Sequence, residues 1–207
     1  MKKYIIIGVI LIVVIAGIAA SFHSFRVSSR NAKEMAGYSA DASAANKNFG
    51  KALVVYYSLS GNTLDIAKRI QAKTNADIFE IKTAEEIKTG PSLYLKIKSD
   101  LKDGVYPKLA DNMPNIKEYD IIFVGSPVWW YTVSTPVRAF LEKADFMGKK
   151  VIPFSTQGSN PGTFLEDFTS MAKNAKVTSY MSFNNMGKEY DSAIDNKISV
   201  WLNGIEE

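Results

Sequence analysis

"ALVVYYSLSGNTLDIAKRI", residues 52–70, is the stretch whose reading decides the fold. An unbroken apolar run (52–57) stops against Ser58 to Thr63, six positions given almost wholly to hydroxyls, an amide and a glycine, and the chain then runs straight into a helix-like pattern. A run without alternation suits a strand covered on both faces. The stretch therefore predicts a strand, a small polar loop and a helix.

Outward from it the alternation continues. "IIFVG" (121–125) and "VIPF" (151–154) are again continuous apolar runs, whereas "DIFEIK" (77–82) and "VTSYMSF" (177–183) alternate, as sheet edges do. Helical spacing fills the gaps: Val137, Phe140, Leu141 and Ala144; Phe164, Phe168, Met171, Ala172 and Ala175 over three turns; Ile194, Ile198, Trp201, Leu202 and Ile205. Ser134-Thr135-Pro136 offers caps and a first-turn proline. Residues 83–118 predict a helix around Ser92 to Leu101 and then an irregular stretch through "YPKLADNMP". Five strands alternating with helices, joined by right-handed crossovers, predict an α/β fold, a doubly wound open parallel sheet with helices on both faces.

Composition narrows the chemistry. The 207 residues include no Cys and a single His, His23, so a disulfide framework, a thiolate metal site and a cysteine nucleophile are excluded. A histidine-based triad is disfavoured because His23 lies just past the N-terminal apolar run. No metal site and no catalytic residue is assigned. Of the charges behind the net +4, residues 1–50 carry six Lys/Arg and two Asp/Glu, which leaves 19 of each in the rest. The folded part is neutral, so no nucleic-acid partner is expected.

Residues 1–26 open with Lys2 and Lys3 and continue uncharged from Tyr4 to Ala20, a span at the margin between a signal peptide and a short membrane helix. The two lysines favour the N-terminus inside and the domain outside, either membrane-anchored or secreted after cleavage. Gly17-Ile18-Ala19 and Ile18-Ala19-Ala20 are the candidate cleavage sites. Residues 27–49 lack periodicity and read as a solvated, flexible linker, whose 23 residues would reach about 25–30 Å. The domain is expected over 50–207.

An open parallel sheet binds ligands beyond the carboxyl ends of its strands, which singles out three loops. Ser58 to Thr63 opens a helix, where backbone amides favour an anion. It has no lysine, unlike a Walker A loop, and lacks the further glycines of a dinucleotide fingerprint, so a phosphate monoester held by neutral donors fits it best, with an ordinary capped turn as the competing reading. "GSPVWWYT" (125–132) puts two tryptophans at a strand end, suited to a flat aromatic ligand or to covering the sheet. "FSTQGSNPGTF" (154–164) brings amides and Gln157 to the same edge, or is a plain connection.

In this order the segments resemble the flavodoxin family, over residues 51–207. "SLSGNT" is similar to the family's S/T-x-S/T-G-N-T phosphate loop, which implies that Ser58, Ser60, Gly61, Asn62 and Thr63 hold the phosphate of FMN. "YDIIFVGSPVWWYTVSTPVRAFLE" (119–142) resembles the Y-D-x-I-x-x-G-x-P-x-W-W segment of short bacterial members, implying Pro127, Val128, Trp129 and Trp130 as isoalloxazine contacts. "PFSTQGS" (153–159) is similar to the third loop and adds Thr156, Gln157 and Gly158. The resemblance implies a flavodoxin-like five-stranded sheet and a redox protein that passes electrons to a partner protein or to a small acceptor such as a quinone, as a carrier or as an FMN-dependent oxidoreductase. The neutral domain departs from the acidic electron carriers, and the long insertion that splits the last strand in some members is absent. A membrane-tethered binding module that keeps the fold without flavin stands as the alternative.

Overall fold

The computed structural model describes residues 2–39, 45, 47–110 and 113–206, without the side chains of Lys2, Lys3 and Ile5. The charges assigned to topology at Lys2 and Lys3, part of the 27–49 segment and positions 111–112 of the irregular stretch therefore lie outside the described residues.

The elements in chain order are α1 (Lys2–Ala36), β1 (Ala52–Tyr56), α2 (Asn62–Thr74), β2 (Asp77–Glu80), α3 (Pro91–Asp103), β3 (Ile121–Trp129), β4 (Thr132–Val133), α4 (Thr135–Lys143), β5 (Lys150–Gln157), α5 (Phe164–Met171), β6 (Lys176–Val177), β7 (Met181–Asn184) and α6 (Asp191–Asn203). The sheet runs β2-β1-β3-β5-β6, with β7 continuing the last position beside β5. Pairing is parallel throughout this path, with Ala52 opposite Ile121, Ile121 opposite Lys150 and Phe154 opposite Met181. The strands of this path thus deliver their loops to one edge, while β4 pairs antiparallel with the end of β3.

The unbroken apolar runs are the central strands because each of their faces meets helices. Val54, Phe123, Ile152 and Phe154 pack with α2 and α6 through Ile66, Ile70, Ile198 and Trp201. Leu53, Val55, Ile122 and Val124 pack with α4 and α5 through Val137, Phe140, Phe164 and Phe168. At Gly125 a Cβ would stand 2.2 Å from the Phe154 ring, so that ring lies over β3 there only because the position has no side chain.

The expected last strand is two strands. Ser179 turns left-handed at φ 53, its carbonyl accepts the Trp201 indole N–H at 2.5 Å, and pairing resumes at Met181. The interruption is short, with no long insertion. The helix predicted over three turns from Phe164 stops at Met171, and Asn174 reverses the chain at φ 55.

Residues 27–36 differ most from expectation. They are not a solvated coil: α1 runs unbroken to Ala36, 35 residues in all. Asn31 and Met35, one turn apart, are buried against the domain. Glu34 pairs at 2.6 Å with Lys197, a side chain only 3% exposed. The docking is largely polar, so no apolar period marks it. Earlier in α1 lies the only stretch among the described residues long and apolar enough to cross a membrane, and none of it is buried.

Candidate functional site

β1, β3 and β5 end side by side, and their loops are the three selected above. Gly61 sits at the N-cap of α2 with φ 90 and ψ −18, a conformation natural only to glycine, and nothing lies within 4 Å of where its Cβ would be. It gives the helix no side-chain cap. The first amides of α2 therefore have no side-chain acceptor, while the loop is shaped by its own hydroxyls: Ser58 Oγ accepts from the Gly61 amide at 3.1 Å and Ser60 Oγ from the Asn62 side chain at 3.2 Å. Helix dipole and open amides together suit an anion with up to three acceptor oxygens.

Thr63 and Thr156 meet under this loop. Both are buried, and their hydroxyls share a hydrogen bond of 2.8 Å that ties α2 to the end of β5. Gln157 is also buried, with its side chain turned along the sheet: Oε1 accepts from Ser155 at 2.9 Å and Nε2 donates to Asn184 at 3.2 Å. What these two residues and Gly158 present to the edge is backbone.

Pro127, Val128 and Trp129 close β3, each half-buried. Trp129 stands edge-on to Tyr57, 5.7 Å between centroids. Burial, and then the charge of Glu80, pushes the Tyr57 phenol up to about 12, so it stays neutral beneath the tryptophan. Trp130 and Tyr131 form a two-residue turn between β3 and β4, both left-handed at φ 50 and 64. Such turns ordinarily use Asn and Gly; aromatic residues there cost about 1–3 kcal/mol each and persist only where neighbours hold them. They are held. Trp130 donates its indole N–H to the Tyr94 carbonyl at 2.9 Å, with Lys98 4.8 Å above its ring. The Tyr131 carbonyl accepts from the Thr163 amide at 2.9 Å, at a position where Gly162 leaves room. Arg138 and Asp167 grip Thr132 behind the turn.

The structure thus gathers all twelve predicted residues at one edge but divides them: Ser58, Ser60, Gly61 and Asn62 lie at the surface, Trp129 is half-buried, Trp130 leans to α3, and the Thr63, Thr156 and Gln157 side chains turn inward. A recess of about 660 Å³ opens beside Trp129, between residues 84–88, α3 and residues 105–108; of the predicted site residues it touches only Trp129. The supports Arg138, Gly162, Thr163 and Asp167 were not singled out from sequence; the glycine two residues before an apolar helical series was the available signal.

Comparison with known proteins adds the lineage. No curated protein matches. A flavoprotein from Lactobacillus acidophilus, solved in complex with FMN, is 25% identical with a TM-score of 0.57, covering 64% of this chain and 91% of its own. The apo form of the flavoprotein from that organism matches at 25% and 0.53, over 69% and 96%. A candidate flavoprotein from Bacteroides uniformis matches at 26% and 0.60, over 75% and 98%. The family described as flavodoxin (Flavodoxin_4) matches residues 51–203, from the strand before the polar loop to the end of the last helix, and the chain belongs to it.

Proposed function

We propose that the chain is an FMN-binding redox protein that passes electrons to a protein partner or a small acceptor such as a quinone, anchored by the apolar part of α1 with its domain on the outer face of the membrane. The observation that carries this reading is the uncapped N-terminus of α2 behind Gly61, set at the edge where Trp129 and residues 157–158 also end. FMN bound there supplies one- or two-electron chemistry. The chain's part is to bind and orient. Ser58, Ser60, Gly61, Asn62 and Thr63 offer a phosphate monoester neutral donors and amides, Pro127, Val128, Trp129 and Trp130 offer a ring system apolar surface, and Thr156, Gln157 and Gly158 offer it backbone groups. No phenolate from Tyr57 opposes a negative charge on the ligand.

The second reading, a tethered module without flavin, draws on a different observation. Among the described residues no buried side-chain polar atom lacks a hydrogen bond, so the buried side chains at this edge are satisfied as they stand. One titration separates the two. Full-length chain in detergent is expected to quench the fluorescence of micromolar FMN and to leave FAD and NAD unbound; no quenching sinks the flavin reading.

The membrane reading rests on α1. Arg30, which reaches the domain, lies eight positions after Phe22, just past the apolar run, a helical rise of about 12 Å. This keeps the edge loops within reach of a lipid-soluble acceptor without a long tether. Protease added to intact cells is expected to degrade the domain; protection would place it inside.

A further inference from the structure

The part of α1 beyond the apolar run meets the start of the third edge loop at two points, at Ser159 directly and at Gln157 through Asn184. On one side Asn31, 7% exposed, accepts from the Asn184 side chain at 2.9 Å; Asn184 in turn accepts from Gln157 at 3.2 Å, and Gln157 accepts from Ser155 at 2.9 Å. On the other side the Arg30 guanidinium donates to the Ser159 carbonyl. Between these two grips lies Gly158, whose missing Cβ meets nothing within 4 Å and which would otherwise be free to wander. Gly158 also lines a cleft of about 390 Å³ whose opposite wall is His23, Ser24, Val27, Ser28 and Asn31 of α1. Glu34 and Met35 fasten the same helix further along, at Lys197 and in the core.

The helix that makes these grips lies outside the matched domain. The family match begins at residue 51, and the solved relatives named above cover 64–75% of the chain. A helix outside the common domain is thus in direct contact with one of the loops that the common domain turns toward its ligand.

We infer that Arg30 and Asn31 are positioning residues for the cofactor: the docked half of α1 is a strut that fixes residues 157–159 in the shape that receives the flavin ring. The inference rests on the FMN reading. Because the strut acts on the ring loop and not on Ser58 to Thr63, its loss weakens FMN and riboflavin by the same factor.

The test uses the full chain in detergent as wild type, Asn31→Ala, Arg30→Ala and Arg30→Lys, with Arg26→Ala, on the exposed side of α1, as the control. Each alanine variant at the strut is expected to weaken FMN by about three- to tenfold, as loss of one hydrogen bond does, with an equal factor for riboflavin and a shifted midpoint potential of bound flavin. Arg30→Lys restores affinity, and Arg26→Ala changes neither quantity. Unchanged affinity and potential in Asn31→Ala and Arg30→Ala overturn the inference. Amide hydrogen exchange at Gly158 and Ser159, measured without flavin, keeps this separate from the FMN reading. Faster exchange in Asn31→Ala with no FMN binding by the wild type retains the strut and removes the cofactor. Exchange unchanged in both alanine variants removes the strut.

Discussion

A chain that begins at Gly50, where the sequence places the start of the domain, is expected to fold poorly or not at all, while one that begins at Val27 melts cooperatively. The shorter chain loses Met35 and Phe49, both buried in the core that α2 and α6 share, the latter edge-on to Phe123 at 5.7 Å. Removing side chains of this kind costs about 2–5 kcal/mol each. It also strips Glu34 from the buried Lys197. Breaking a fully buried pair costs about 3–5 kcal/mol, and about 2–3 is the better figure here because Glu34 keeps 32% of its side chain exposed. Even with imperfect additivity the loss is of the order of the whole stability of a domain, about 5–15 kcal/mol. Thermal unfolding followed by circular dichroism decides it. Equal midpoints for the two chains would mean that α1 rests on the domain without supporting it, and Glu34→Gln in the longer chain should by itself lower the midpoint by about 4–10 °C.

The second large effect is expected at the polar loop. Riboflavin, identical to FMN except for the phosphate, should bind about a hundred- to a thousandfold more weakly, since each hydrogen bond to a charged group contributes about 1.5–3 kcal/mol and the open amides of α2 can make more than one. Gly61→Val sharpens the experiment. A β-branched residue resists the left-handed φ of 90 found there, so the loop must rearrange and its amides lose their common direction. The variant should bind FMN no better than riboflavin while riboflavin affinity itself holds. If the wild type already binds the two alike, Ser58 to Thr63 is a turn that starts a helix and nothing more.

What the sequence made legible follows from how each element is stabilised. β1, β3 and β5 announce themselves because the part of each strand that helices cover on both faces, 52–57, 121–125 and 151–154, is an unbroken apolar run, and β2 because an edge strand need not be. The polar loop is legible as the break between β1 and α2, because small hydroxyl residues with a glycine end one element and start the next. The Trp130–Tyr131 turn was not, because its left-handed conformation is imposed from outside by Tyr94, Gly162 and Thr163 and carries none of the Asn-Gly chemistry that normally marks such a turn. The inward rotation of Gln157 was equally hidden, since it depends on Asn184, a residue 27 positions away. The docked part of α1 escaped for a related reason: Asn31 and Glu34 attach it by hydrogen bonds and charge, which leave no hydrophobic period to read.

The place where α1 first meets the domain also determines what processing could change. Both short-residue sequences suited to a signal peptidase, Gly17-Ile18-Ala19 and Ile18-Ala19-Ala20, lie upstream of His23, the first α1 residue to line the cleft, and of Arg30. A cut after Ala20 would take away the whole apolar run and leave the grips at Arg30, Asn31, Glu34 and Met35 intact. Released and tethered forms would then share one melting behaviour and one ligand affinity, and differ solely in whether the protein diffuses in two dimensions or three.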